Sequence, residues 1–319
     1  MNILNVIKYY SNIIISSYKR TKVIRYDKHT YSSFFEKERK YADNIIHVCD
    51  DANAYIKKYI ESNKPFMLAR YGSTELYATE VFDLKLRFKY NNALNMLCNN
   101  AGFFPYNYND AEQFKNLLIK ASENVDIFAI WNMFMEEQYI KKYMRDVYLT
   151  QLRFIEPWFA ENPWTEALKG KKVLVIHPFS ETIIEQYKKR EYLFENKKIL
   201  PNFELEVIKA VQTIAGEKDD RFNTWFDALN WMYEETIKKE FDVVLIGCGA
   251  YGMPLASMIK NAGKQAIHMG GVLQILFGIK GARWDDDPIV SNLYNEYWVR
   301  PSNNEKIINA SSVEGGCYW

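Results

Sequence analysis

DVVLIGCGAYGMPLASMIKNAGKQAIHMGGVLQILFGIKGARW, residues 242–284, decides the fold. It reads as a short apolar strand, a glycine turn, a helix, a second strand and a second glycine turn. The turn Gly247-Cys248-Gly249-Ala250-Tyr251-Gly252 fits the spacing GxGxxG and sits between strand and helix, where that spacing has a mechanism. A strand that ends in glycines and feeds a helix leaves backbone N–H groups exposed at the positive end of the helix dipole, a seat for phosphate. From Val243 to Trp284 there is no Asp or Glu, while Lys260, Lys264, Lys280 and Arg283 supply fixed positive charge.

Outward from this unit the same alternation recurs. Pro65 to Arg70 is an apolar run, a strand ending at Tyr71-Gly72-Ser73-Thr74-Glu75, where Ser73 or Thr74 caps the next helix. Val125 to Trp131 reads as a strand. Lys171 to Pro178 is a strand stopped by proline. Leu205 to Ala210 is another. Helices are expected over 40–62, 110–122, 135–150, 180–195 and 224–239, and a loop with a short helix over 157–169. Apolar strands alternating with helices predict an α/β, Rossmann-like fold: a mostly parallel sheet with helices on both faces. The expected organisation is a helical extension (1–60), an α/β catalytic domain (61–290) and a tail packing on it (291–319). Ligands of such sheets sit at the carboxyl ends of the strands, which gathers 70–75, 177–181, 247–252 and 268–271 at one edge.

Composition narrows the function. Lys plus Arg number 41 against 40 Asp plus Glu, so a broad nucleic-acid surface, which needs a basic excess, is not expected. Cys49, Cys98, Cys248 and Cys317 show no CxxC pairing and read as reduced thiols of a cytoplasmic protein. No window approaches the roughly 18 apolar residues of a membrane span. Residues 1–25 mix Ile and Tyr with Lys8, Lys19, Arg20, Lys22 and Arg25 and carry no acid. They read as a surface helix, or as a basic amphipathic helix in peripheral contact with the inner membrane face. Aromatic residues make up 16% of the chain, which fits a large core or rings stacking on sugars and bases.

The glycine turn has three readings. A dinucleotide site requires an acid at the end of the second strand, and Ile267-His268-Met269-Gly270-Gly271 has none. A nucleotide or sugar-phosphate site and a purely structural turn both remain. Arg70 beside a capping hydroxyl and Glu75 suits diphosphate and sugar recognition, or else forms a structural ion pair with Glu75. His177 and His268 end parallel strands, as satisfied structural residues or as donors to phosphate and ribose. Glu181 reads as a base or as a first-turn helix carboxylate. Asp285-Asp286-Asp287 reads as a Mg²⁺ or Mn²⁺ site or as a solvated turn.

The Arg70-Tyr71-Gly72-Ser73-Thr74-Glu75 element, the middle strand Val173 to Ile176 and the late unit Val243 to Gly271 together resemble bacterial glycosyltransferases of the GT-D fold, a group once catalogued as a domain of unknown function. The likeness spans roughly residues 60–285. The Asn100–Pro105 run and the Gly315–Trp319 end resemble relatives from surface-polysaccharide loci. The family element reads Arg-Phe-Gly-Asp-Gly-Glu and is linked there to a divalent metal and the sugar nucleotide. Here Ser73 replaces the Asp and only Glu75 remains, so metal use is open, with no metal ligand assigned.

The resemblance implies a glycosyltransferase taking a nucleotide-diphosphate sugar and extending a glycan acceptor, lipid-linked, in capsule or cell-surface polysaccharide assembly. Its donor site would comprise Gly72, Ser73, Gly247, Gly249, Ala250, Tyr251, Gly252, His268, Gly270 and Gly271. Arg70, Glu75 and His177 would be catalytic: Arg70 steadying the leaving phosphates, Glu75 contacting the donor sugar or acting as base, His177 offsetting diphosphate charge. Trp131 and Trp284 would shape the acceptor groove. The alternatives are a pyruvyl- or nucleotidyl-type transferase and a non-catalytic glycan- or nucleotide-binding protein of transferase ancestry. A homodimer is the expected assembly.

Overall fold

A computed structural model describes residues 3–24, 39–312 and 315–319. Nine strands form one sheet in the order β1-β2-β5-β4-β3-β9-β8-β6-β7. They are β1 (Arg39–Tyr41), β2 (Asn44–His47), β3 (Phe66–Ala69), β4 (Ile127–Ile130), β5 (Tyr148–Gln151), β6 (Lys172–His177), β7 (Glu204–Lys209), β8 (Val243–Ile246) and β9 (Gln265–His268). Every pairing is parallel except β1 with β2. The expected α/β, mostly parallel architecture is therefore present.

The central strands β3, β4, β8 and β9 are buried along their whole length, which is why they read as unbroken apolar runs rather than alternating ones. Alternate residues feed two cores. Met67, Ala69, Val244 and Ile246 pack against the helices Ser73–Asp83, Tyr90–Ala101, Tyr108–Ser122, Trp225–Ile237 and Gly252–Asn261. Phe66, Leu68, Val243 and Leu245 pack on the other face with Cys49–Ser62, Ser180–Tyr187, Leu273–Leu276 and Trp298. The chain leaves β3 and β8 on one face, and β9 and β6 on the opposite face. At three adjacent strand pairs, β3/β9, β9/β8 and β8/β6, the chain thus departs to opposite faces at the carboxyl ends, the position at which sheets of this kind open crevices.

Two sequence expectations are corrected. Residues 40–62 are not one helix: Ala42 and Asp43 adopt left-handed backbone (φ 50° and 64°) and turn β1 into β2, so the helix begins only at Cys49. The helix expected over 135–150 stops at Tyr143, and Tyr148–Gln151 becomes β5 because β4 and β2 both pair with it. The helix Tyr90–Ala101 had no expectation. Its Asn content masks a buried stripe of Ala93, Leu94, Leu97 and Ala101 at helical spacing.

Glu80, in the helix Ser73–Asp83, is fully buried, and neither carboxylate oxygen has a hydrogen-bond partner. Burial pushes its pKa up to about 9, with Lys89 opposing. Below the unfolded carboxyl pKa both states are protonated. As pH rises through that value to about 9 only the unfolded chain releases the proton, so this group's contribution to stability drains away. Glu80→Gln is expected to match wild type near pH 5 and exceed it near pH 8 by a few kcal/mol, at ~1.4 kcal/mol per pKa unit. Thermal melts across that range check this, and parallel curves would refute it.

Candidate active site

Sheet register brings the four sequence segments together. Ile176 of β6 pairs with Ile246 of β8, and Ile246 pairs with His268 of β9. Leu68 of β3 pairs with Ile267. His177, Gly247, Met269 and Arg70 therefore leave the sheet at neighbouring points. A cleft opens there, about 620 Å³ including its mouth, with His177, Gly247, Cys248, Gly249, Gly271 and Tyr318 on its walls.

The first glycine turn carries the open seat. Gly249 has φ +58° and nothing within 4 Å of where a Cβ would stand. The first hydrogen bond of the turn runs from the Gly252 N–H to the Gly249 carbonyl. The N–H groups of Gly249 and Ala250 precede it and have no backbone acceptor, as expected of a helix start. Gly247 is the close-packed member: a Cβ there would stand 2.6 Å from His177 Cδ2 and 2.9 Å from the Gly270 carbonyl oxygen.

His177 is buried, and its Nδ1 accepts the Phe179 N–H at 3.0 Å. That bond fixes the neutral tautomer with its proton on Nε2. Burial holds the pKa down to about 3. On this cleft wall it is a hydrogen-bond donor, not a cation.

Arg70 lies under the second glycine turn, with Gly270's missing Cβ 3.2 Å from its guanidinium carbon. Its Nη1 donates to the Tyr71 carbonyl at 2.8 Å, and its plane meets the Trp131 ring at 5.1 Å. Trp131 in turn donates Nε1–H to the same Tyr71 carbonyl at 3.1 Å. The Arg70 Nε is buried with no hydrogen-bond partner. Burial lowers the Arg70 pKa, Glu75 works against that, and Arg283 adds to it. A guanidinium stays charged under such pressure, so a buried cation keeps one donor unsatisfied.

Three carboxylates act on this cation electrostatically. Glu75 folds back over Gly72 at the first turn of Ser73–Asp83. Glu136 is fully buried and accepts from the N–H groups of Trp131 and Met133 and from Tyr41 Oη at 3.2–3.3 Å. Burial raises its pKa to about 7 against those bonds. Glu156 is raised to about 8, chiefly by burial.

Several sequence assignments land elsewhere. His268 does not line the cleft. Its ring covers Gly252, where a Cβ would collide with Nε2, and its Nδ1 is buried without a partner. Its pKa falls to about 3 through burial. Tyr251 does line the cleft, with its ring stacked on Trp225 at 4.6 Å and its hydroxyl on Thr213. Ser73 is exposed at the helix start. At the second turn Gly271 lines the cleft with Tyr318 packed against it, and Arg283 lies over the Tyr318 ring at 4.8 Å. The helix start near Glu181 is already capped by Glu305, which accepts from the N–H groups of Glu181 and Thr182. Trp284 is buried and lines no open groove. Asp285 pairs with Arg300 at 2.7 Å and Asp287 with Arg153 at 2.6 Å. Among the described residues no three His, Cys, Asp or Glu side chains converge as a metal site.

Residues without a sequence signal complete the walls. Asn100 and Ala101 reach the cleft from the end of Tyr90–Ala101, and Thr213, its hydroxyl on the Gly102 carbonyl at 2.6 Å, follows β7. Of the Asn100–Pro105 run and the Gly315–Trp319 end, noted only as resembling relatives, Asn100, Ala101 and Tyr318 stand on the walls.

No family model matches the chain, and no curated protein does. Among solved structures it is similar to domain of unknown function 1792 in two determinations. One is a selenomethionine-substituted form, with 13% identity and a TM-score of 0.43. The other is described as having a distinct glycosyltransferase fold, with 15% identity and a TM-score of 0.41. In each case 78% of this chain and 90% of the other is covered.

The two glycines of the first turn are expected to respond differently to one added methyl group. Gly247→Ala forces His177 and Gly270 apart and costs about 1–3 kcal/mol as overpacking. Gly249→Ala meets no atom and bears only the left-handed backbone penalty of about 1–2 kcal/mol. The discriminating readout is His177: its NMR ring resonances move in Gly247→Ala and hold in Gly249→Ala. Equal movement in both would contradict the packing described.

Proposed function

We propose that the protein is a glycosyltransferase using a nucleotide-diphosphate sugar. The observation that carries this reading is the presence of two unmet donor sets at one sheet edge: the amides of Gly249 and Ala250, and the half-buried Arg70, whose buried Nε has no hydrogen-bond partner among the described residues. Amides plus a guanidinium match the oxygens of a diphosphate. Neutral His177 adds an N–H without adding charge. Residues 70–75 and 243–271 also carry the sequence resemblance to GT-D enzymes.

In the transfer step the acceptor hydroxyl oxygen bonds to the anomeric carbon and the bond from that carbon to the diphosphate oxygen breaks. The hydroxyl proton passes to Glu75 or to solvent. Negative charge grows on the leaving diphosphate, where Arg70 and the turn amides meet it. The acceptor is a surface glycan, lipid-linked, extended on the cytoplasmic side. A divalent ion enters this scheme only as one brought by the diphosphate.

Calorimetry with UDP- and GDP-sugars, with and without Mn²⁺, tests the reading. Arg70→Ala is expected to weaken donor binding by roughly 10- to 100-fold, the range for a hydrogen bond to a charged group. Arg70→Lys should restore it only in part. Failure of every nucleotide sugar to bind wild type would end the proposal.

The pH dependence separates two neighbours of the site. A sugar nucleotide's diphosphate diester does not titrate near neutrality. His177, held at about 3, stays neutral throughout. Glu136, at about 7, interacts electrostatically with Arg70, and its ionisation offsets the cation. Donor affinity should therefore fall as pH rises through about 7. Glu136→Gln should flatten that profile, while His177→Gln lowers affinity and leaves its shape unchanged. An inflection abolished by His177→Gln would overturn this assignment.

A further inference from the structure

Over residues 3–14 the helix Ile3–Ile24 carries two apolar stripes, about a quarter-turn apart. Its inner face is used: Tyr9 is buried, Val6 and Ile13 pack on the core, and Asn5 Nδ2 donates to the Leu84 carbonyl at 3.0 Å. Its outer face carries Ile3, Ile7, Tyr10 and Ile14 at steps of four, three and four residues, with Leu4 beside them. These side chains are 69%, 59%, 49%, 70% and, for Leu4, 73% exposed. The exposed stripe needs a cause, because a helix that only covers the domain places polar residues outward.

The loop Lys85–Lys89 runs alongside. Lys89 Nζ stands over the Tyr9 ring at 4.8 Å and over the Phe88 ring at 5.8 Å. Phe88 is itself 53% exposed. Lys85 and Arg87 are exposed and form no ion pair among the described residues. In sequence, residues 1–26 hold five Lys or Arg and no Asp or Glu. Of these, Arg25 lies outside the described residues.

We propose that this face, the outer stripe of Ile3–Ile24 with the loop Lys85–Lys89, is a docking surface for an anionic lipid bilayer. Apolar side chains flanked by unpaired cations match the headgroup boundary of such a membrane, where rings and aliphatic chains enter and cations meet lipid phosphates. The helix would lie in the interface plane along about 33 Å. No helix of the described residues is long and apolar enough to cross the membrane. A second copy of the chain fits this face less well. A two-fold contact sets each patch against itself, cation against cation. The inference stands apart from the transferase reading. If both hold, the helix Tyr90–Ala101, about 18 Å long, links the docked loop to the cleft wall at Asn100, placing a lipid-linked acceptor within reach.

Co-sedimentation of the full chain with vesicles tests it. Phosphatidylcholine vesicles containing phosphatidylglycerol should retain the protein at low salt and release it as salt rises, while phosphatidylcholine alone retains little. Combining Ile3→Ser, Ile7→Ser and Ile14→Ser should weaken binding at least about tenfold. Its melting temperature and calorimetric donor binding should be unchanged, because these side chains face outward. Arg87→Glu should weaken binding and flatten the salt dependence. Equal retention on both vesicle types, no retention, or an unaffected triple variant would overturn the proposal. So would a dimer in light scattering that the triple variant dissolves while lipid binding is absent.

Discussion

The site depends on close approach at the carboxyl edge of the sheet. Parallel register carries β6, β8, β9 and β3 to the same level, where side chains of ordinary size would collide. At Gly247 the backbone gives way to the His177 ring, at Gly252 to His268, and at Gly270 to Arg70. Each glycine hydrogen stands where a buried polar ring or guanidinium needs room. Backbone amides and a cation thereby come to the same edge of the sheet. Such preorganised donors act on a developing charge more strongly than solvated ones would.

Electrostatics follow from the same packing. Three acids act on Arg70 through space. Glu136 is fastened to the amides of the turn after β4, Glu75 leans over its own helix start, and Glu156 is buried with its pKa raised. The histidines are deprived of charge by burial. The fixed positive charge of the site includes the half-buried Arg70, held by a carbonyl and a tryptophan ring, and Arg283 over the Tyr318 ring.

Much of this was legible in the chain. Apolar runs broken by glycine and proline gave the strands β3, β4, β6 and β8, and the carboxyl-edge rule gathered Arg70, His177 and Gly247. What the chain hid has physical reasons. Gly247–Gly252 and His268–Gly271 were both expected in the donor site, yet Tyr318, almost fifty residues later in sequence, packs against Gly271. His268 looked like a ligand contact, but a side chain's direction at a strand end depends on which neighbour leaves space. Asn100 and Thr213 carry no motif, since wall residues are selected by position. The strand at 148–151 lay inside a helical pattern because pairing with β2 and β4 outweighs local propensity.

The sequence by itself determined the layered α/β plan, the strand edge at which chemistry gathers, and the acid-free character of 243–284, because periodicity, glycine spacing and charge are properties of the chain. The tertiary structure alone decided which glycine turn stays open, which histidine faces the cleft, and that Arg70 keeps an unmet donor. Those outcomes turn on contacts between segments far apart in sequence, where steric exclusion and desolvation, rather than local preference, set each side chain's place.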